Sequence, residues 1–287
     1  MNNFPCYGNQ NYITLRGLNF SYQKYENPSK PVIIMLHGFM DFSHSFDLLA
    51  KNLKDHYEIY AWDARGFGNT EWVHKSGYYY FSEYIYDLSL FLDFIGKEQY
   101  ILLGHSMGGI IASLYAGTYP EKVTKLINLE GWFFRNPNPE EAPEKMRTWI
   151  EQLKSLNENS NMKNLEDAAK RLMKNDPLLV KEIAYHLAYH GTKEIDGYYY
   201  WKHDPTHKTI SPTLTNLDQI KAFIKNIVCP ILLLKGSEKH NFLGSSNFIN
   251  GESFFEKAKI YEIENSGHNL HLHQPEKIAQ IITEFLK

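Results

Sequence analysis

Tyr100-Ile101-Leu102-Leu103-Gly104-His105-Ser106-Met107-Gly108-Gly109-Ile110-Ile111-Ala112-Ser113-Leu114-Tyr115-Ala116 is the stretch on which the reading of this chain turns. An apolar run ends at Leu103, a Gly-x-Ser-x-Gly turn follows, and a small-residue helical pattern begins at once. That order, strand then turn then helix, is the setting of a nucleophile elbow. The turn strains its central residue and draws neighbouring chain close, so Gly104 and Gly108, two before and two after Ser106, carry no side chain. Ser106 then stands at a helix N-terminus, where the helix dipole favours a developing oxyanion. A turn kept small only for packing is the competing reading, and the flanking strand and helix favour the nucleophile.

Working outward, Pro31-Val32-Ile33-Ile34-Met35-Leu36 is a continuous apolar run of the kind that forms a strand buried on both faces of a parallel sheet. Tyr57–Trp62, Val123–Leu129 and Pro230–Leu234 repeat the pattern, each ending in Asp, Glu or a polar turn. Between them lie helical patterns such as Phe81 to Gly96, where Tyr84, Leu88, Phe91, Leu92 and Ile95 share one face. Tyr12–Leu15 and Leu18–Tyr22 flank Arg16-Gly17 and read as an antiparallel hairpin at the sheet edge. The fold class is therefore α/β, a mostly parallel, doubly wound sheet.

From Gly131 the character changes. Pro137, Pro139 and Pro143 open a segment with amphipathic helical patterns around Met146–Leu156, Leu165–Lys174 and Leu178–Tyr189, and no strong strand signal. An insertion of this length between two sheet strands is expected to be a helical cap over the site. The expected organisation is a core of residues 1–130 and 216–287 with a cap of residues 131–215 inserted after the sixth strand. At 287 residues, one core with an insertion is as natural as two domains.

Composition narrows the function. Thirty basic against thirty-three acidic residues give a net charge of −3, so no global field draws the chain to nucleic acid or anionic lipid. Cys6 and Cys229 are far apart and lack metal-ligand spacing, which argues against a disulfide framework or a zinc site. No stretch approaches the roughly 18 apolar residues of a membrane span, and no signal segment opens the sequence; a cytoplasmic protein is expected.

The turn His37-Gly38-Phe39-Met40 closes the first buried strand beside the elbow in this topology. The backbone N–H groups of Phe39 and Met107 are thus candidates for an oxyanion hole, with His37 as a loop brace.

With these motifs in order, the chain resembles an α/β-hydrolase. The resemblance rests on His37-Gly38-Phe39, Asp63-Ala64-Arg65-Gly66-Phe67-Gly68, the elbow and Ser266-Gly267-His268, and covers almost the full length. Within the superfamily it is most similar to the serine hydrolase-like group. The marks are Glu130-Gly131, Glu141-Ala142-Pro143-Glu144, Trp201-Lys202-His203-Asp204-Pro205 with Ser211-Pro212, and Gly267-His268-Asn269-Leu270-His271-Leu272. The resemblance implies the α/β-hydrolase fold and places the catalytic base at His268, with His271 and His273 as rivals of packing or pocket-lining type. It reads Asp63 and Arg65 as loop architecture.

The acid has two candidates. Many members carry an Asp after the seventh strand, three residues beyond a Gly, but the sequence there is Gly236-Ser237-Glu238-Lys239-His240, and the cation Lys239 cannot accept from an imidazole. Glu130 lies 24 residues after Ser106, a spacing similar to that of haloalkane dehalogenases that use a Glu there, and is the stronger candidate; Glu238 is the alternative. Dehalogenases and epoxide hydrolases of this fold attack with Asp, whereas Ser106 implies acyl transfer. Trp132, Phe133 and Trp201 are candidates for an apolar pocket, although aromatics at a cap base also serve packing. The resemblance therefore implies a serine hydrolase acting on a small or medium carboxylic ester, with a thioester or carbon–carbon bond as alternative. A non-catalytic ligand binder is the other outcome. No metal or organic cofactor is implied, and the expected partner is the small-molecule ester or thioester, with no nucleic acid and no membrane.

Overall fold

The computed structural model describes residues 7–74, 77–135, 138–213, 215–238 and 248–287. Cys6, Pro137, Lys239 and His240, named above, lie outside the described residues.

The hairpin of β1 (Asn9–Leu15) and β2 (Leu18–Tyr25) turns through Arg16 and Gly17, both at positive φ (52° and 79°), as a two-residue turn between twisted strands requires. Then follow β3 (Val32–Leu36), α1 (Asp47–Leu53), β4 (Glu58–Trp62), α2 (Phe81–Ile95), β5 (Tyr100–His105), α3 (Met107–Thr118) and β6 (Val123–Leu129). The next segment holds β7 (Phe133–Arg135), α4 (Ala142–Lys154), α5 (Leu165–Asn175), α6 (Lys181–Gly191), β8 (Thr192–Ile195) and β9 (Tyr198–Trp201). The chain finishes with α7 (Leu217–Lys225), β10 (Ile231–Gly236), β11 (Phe248–Asn250), β12 (Lys259–Ile263), α8 (Leu270–His273) and α9 (Pro275–Leu286).

The central sheet runs β1-β2-β4-β3-β5-β6-β10-β12, parallel from β4 onward, with the hairpin antiparallel at one edge. Successive residues of a strand point to opposite faces, which is why the central strand β3, covered on both, is apolar throughout. Val32, Ile34 and Leu36 enter one core with Leu88 and Phe91 of α2, Ile111 of α3 and Ile224 of α7. Ile33 and Met35 enter a second core with Leu49 and Leu53 of α1 and Ile278 and Ile282 of α9. Each face is covered, so each residue of β3 loses its exposed surface, worth about 1.5–3 kcal/mol per large side chain.

The inserted segment differs from the sequence expectation in one respect: it contains strands. Thr192–Ile195 and Tyr198–Trp201 pair antiparallel across Asp196 and Gly197, both at positive φ (52° and 77°), and Phe133–Arg135 pairs with Phe248–Asn250. The Asp-Gly dipeptide between residues of high strand propensity is itself a hairpin signal, outweighed in the sequence reading by the surrounding helical patterns. Helices α5 and α6 build a third, smaller core from Ala168, Ala169, Ala184, Leu187 and Ala188, to which Leu179 between them, Phe42 and Leu272 contribute.

Candidate active site

Ser106 stands between the end of β5 and the start of α3 with φ 50° and ψ −116°, a conformation costing about 1–3 kcal/mol for a residue with a Cβ. Its surroundings enforce it. The Ser106 N–H donates to the Leu129 carbonyl (2.8 Å), tying the turn to the end of β6. A Cβ on Gly104 would lie 2.2 Å from the Gly108 carbonyl oxygen, and one on Gly108 would lie 2.0 Å from that of Leu36. Both glycines are thus required by backbone contact on either side.

Glu130 follows the last residue of β6 and is also held at positive φ (53°). Its N–H donates to the Leu234 carbonyl (3.1 Å), and its Oε1 accepts from the Gly236 N–H (2.8 Å), so the carboxylate is fastened to the end of β10. His268 comes from the loop between β12 and α8. Its Nδ1 lies 2.9 Å from Glu130 Oε2 and its Nε2 lies 2.9 Å from Ser106 Oγ. A carboxylate only accepts, so Nδ1 carries the proton, and Nε2 is left to accept from the Ser106 hydroxyl. Three side chains spread over 162 positions of the chain therefore form one hydrogen-bonded line.

The loop bearing His268 is braced from two directions. His105 Nε2 donates to the His268 carbonyl (2.9 Å). His273 accepts the Gly267 N–H at Nδ1 (3.1 Å) and so donates from Nε2 to Asp176 Oδ2 (2.9 Å), which also accepts from Asn269 Nδ2 (2.7 Å). Burial alone would raise the Asp176 carboxyl, but the bonds from His273 and Asn269 outweigh it and hold it below the ordinary carboxylate range. Asp176 belongs to the inserted segment, and nothing in its sequence surroundings announces this contact.

The other expected residues sort by position. Glu238 is exposed and accepts no side-chain hydrogen bond among the described residues; its N–H donates to the Ser266 carbonyl (3.0 Å), while its carboxylate is not in the line. Phe39 is half exposed and packs edge-on to Phe67 and His207, and Met107 is partly buried. Among the described residues, neither the Phe39 nor the Met107 N–H donates to a protein acceptor. His37 braces the loop: its Nδ1 donates to the Gly38 carbonyl (2.7 Å) and its Nε2 accepts the Ala64 N–H (2.9 Å).

Asp63 accepts from the Ser43 and Asn69 N–H groups and the Ser21 hydroxyl, and Arg65 pairs with Asp87 and Glu83, so both residues hold loops in place. Trp132 corrects the pocket expectation: it is 0% exposed within the main core and presents no surface to a ligand. Phe133 and Trp201 are partly exposed. His271 is wholly buried behind the line, and His273 is the brace just described.

A family model described as the alpha/beta hydrolase fold matches residues 31–275. The chain belongs to the α/β-hydrolase family. The serine hydrolase-like protein of Danio rerio is 26% identical over 89% of this chain and 81% of its own length. Human epoxide hydrolase 4 is 36% identical over 47% of this chain, a match spanning only 37% of that protein. Among solved structures, a hypothetical protein from Pseudomonas aeruginosa PAO1 superposes with a TM-score of 0.87 at 24% identity, covering 96% of this chain and 99% of that one. The thioesterase domain from the curacin biosynthetic pathway superposes with 0.82 at 22% identity, covering 96% and 99%. These likenesses establish a hydrolase family and its fold. No helix among the described residues is long and apolar enough to cross a membrane.

Proposed function

We propose that the protein hydrolyses carboxylic esters of small or medium size through an acyl-enzyme on Ser106. The observation that carries this reading is His268, bonded at 2.9 Å to the hydroxyl of Ser106 on one ring nitrogen and at 2.9 Å to the carboxylate of Glu130 on the other. Ser106 Oγ attacks the ester carbonyl carbon as its proton passes to His268 Nε2. The Glu130 carboxylate stabilises the imidazolium through Nδ1–H. The oxyanion accepts from the N–H groups of Phe39 and Met107, neither of which is committed to a protein acceptor. Collapse of the tetrahedral intermediate returns the proton from Nε2 to the leaving alkoxide, and water then repeats the sequence on the acyl-serine. Residues 131–215 act as a cap, with Phe133 and Trp201 near its base.

The identity of the nucleophile separates this reading from epoxide opening. A carboxylate that opens an epoxide becomes an ester, which water cleaves at the carbonyl; a serine would become an ether with no carbonyl to attack. The same line of residues serves a thioester equally well, so substrates of both kinds belong in the assay. The reading is tested by intact-protein mass after treatment with a fluorophosphonate. One adduct on the wild type and none on Ser106→Ala is expected. A well-folded wild type that takes up no adduct overturns the proposal.

A further inference from the structure

Besides Ser106, Glu130 and His268, two groups of imidazoles with a carboxylate lie buried, except that His190 and Asp41 are half-buried. The first, His44, Asp47, His186 and His190, is largely bonded within itself. Asp47 Oδ2 accepts from His44 Nδ1 (2.9 Å) and His186 Nε2 (3.0 Å), Oδ1 accepts from the Tyr25 hydroxyl, and Gln23 Nε2 donates to His44 Nε2 (3.1 Å). The rings of His44 and His190 lie face to face at 3.9 Å, so their in-plane lone pairs do not converge on one point.

The second group, Asp41, His105 and His271, lies directly behind the elbow; Asp41 is bonded to Ser45 and to the backbone of Gly38 and Phe42, but the two imidazoles are not satisfied. His105 Nε2 donates to the His268 carbonyl, which leaves Nδ1 as a bare lone pair. Among the described residues, that Nδ1 has no partner, and neither has either nitrogen of His271, although both rings are buried. Buried polar atoms are rarely left without a partner, which is a water, a ligand or an ion where the protein supplies none. One potential donor atom from each of Asp41, His105 and His271 lies within 4.8 Å of the other two. Metal–nitrogen bonds of 2.0–2.1 Å put tetrahedral donors about 3.4 Å apart, so an edge at the 4.8 Å limit needs to close by about 1.4 Å.

Two imidazoles and a carboxylate are a donor set for first-row divalent ions. Ligating histidines characteristically donate their other ring N–H to a carbonyl, as His105 already does. Burial favours the neutral, ligating form of His105 and His271 but raises the Asp41 carboxyl to about 7, so ligation there displaces a proton from Asp41.

We propose that Asp41, His105 and His271 bind one divalent transition-metal ion of the Zn²⁺ class. The His105 ring lies 4.8 Å from that of His268 and 4.4 Å from that of His271, so the ion would sit behind the line of Ser106, His268 and Glu130. The binding does not rest on the ester-hydrolase reading.

The test is titration with Zn²⁺ by calorimetry and with Co²⁺ by visible absorption, on the full chain and on Asp41→Asn, His271→Leu, His190→Ala and His268→Ala, each checked for folding by circular dichroism. One ion per chain is expected, with affinity reduced at least tenfold by Asp41→Asn and by His271→Leu and kept in His190→Ala and His268→Ala. Lack of stoichiometric binding by folded wild type overturns the proposal. So does binding insensitive to both Asp41→Asn and His271→Leu, or abolished by His190→Ala or His268→Ala. Failure of the fluorophosphonate reaction leaves these titrations untouched, so the two readings fall separately.

Discussion

Replacing Glu130 by Gln changes a single atom type at the centre of the hydrogen-bonded line, and its consequence follows from the two acceptors the carboxylate uses. Oε1 takes the Gly236 N–H at 2.8 Å and Oε2 faces His268 Nδ1 at 2.9 Å, so both oxygens are committed as acceptors. An amide offers only one oxygen. If that oxygen stays on Gly236, the NH₂ faces His268, and the ring must turn its lone pair to Nδ1 and its proton to Nε2. The imidazole then presents N–H to Ser106 and cannot take the hydroxyl proton. If the oxygen faces His268 instead, the NH₂ meets the Gly236 N–H donor to donor.

The first arrangement removes general-base catalysis, and the second keeps the working tautomer only against a donor–donor clash and without the charge that stabilises the imidazolium; the equivalent change in a serine triad costs about 10⁴-fold, or about 5.5 kcal/mol at 1.36 kcal/mol per decade. We expect kcat on a p-nitrophenyl ester to fall by about 10³–10⁴, with the rate of fluorophosphonate addition falling in parallel. Glu238→Gln, altering an exposed carboxylate outside the line, is expected to leave both rates within a factor of about two. A Glu130→Gln protein that keeps more than a tenth of wild-type activity, or a larger loss in Glu238→Gln, would refute the reasoning.

Two further predictions concern stability. Gly108→Ala drives a Cβ to 2.0 Å from the Leu36 carbonyl oxygen, backbone against backbone, and should destabilise the fold on the order of 4 kcal/mol, measured by urea unfolding; a loss under 1 kcal/mol would show that the elbow has room to relax. Burial, assisted by neighbouring imidazoles, pushes His190, His207 and His271 down to about 3; burial, with Lys208 nearby, pushes His203 down to about 4. The unfolded chain binds these protons near pH 6.5 and the folded chain does not, so stability is fully present above that pH and is lost as pH falls toward 3–4. Each histidine contributes a slope of about 1.4 kcal/mol per pH unit. Urea unfolding at pH 7 and pH 5 should differ by several kcal/mol, and equal midpoints would contradict the burial of these rings.

Much of the architecture was readable because its signals are local. The apolar runs at Val32–Leu36 and Ile231–Leu234 show no alternation because both faces of the sheet are covered, and the elbow is written in residues that touch one another. The hairpin at Asp196-Gly197 carries an equally local signal and was masked only by the helical patterns on either side. Trp132 was misplaced for a different reason. Adjacency to Glu130 says that it lies near the site, but the direction in which its indole points depends on packing beneath β6, and it points inward.

The sequence by itself determined the sheet, the strained turn at Ser106 and the candidates for base and acid, because strand periodicity, glycine spacing and residue chemistry act within a few positions of the chain. Only the tertiary structure decided between the candidates. Glu130 rather than Glu238 meets His268 because β6 and β10 are neighbours in the sheet, and the Gly236 N–H of β10 fixes the Glu130 carboxylate toward the loop after β12. Likewise Asp176 reaches His273 across 97 positions, and the orphaned nitrogens of His105 and His271 come together behind the elbow. Such contacts depend on how separate elements settle against one another, a property of packing that no local stretch of residues encodes.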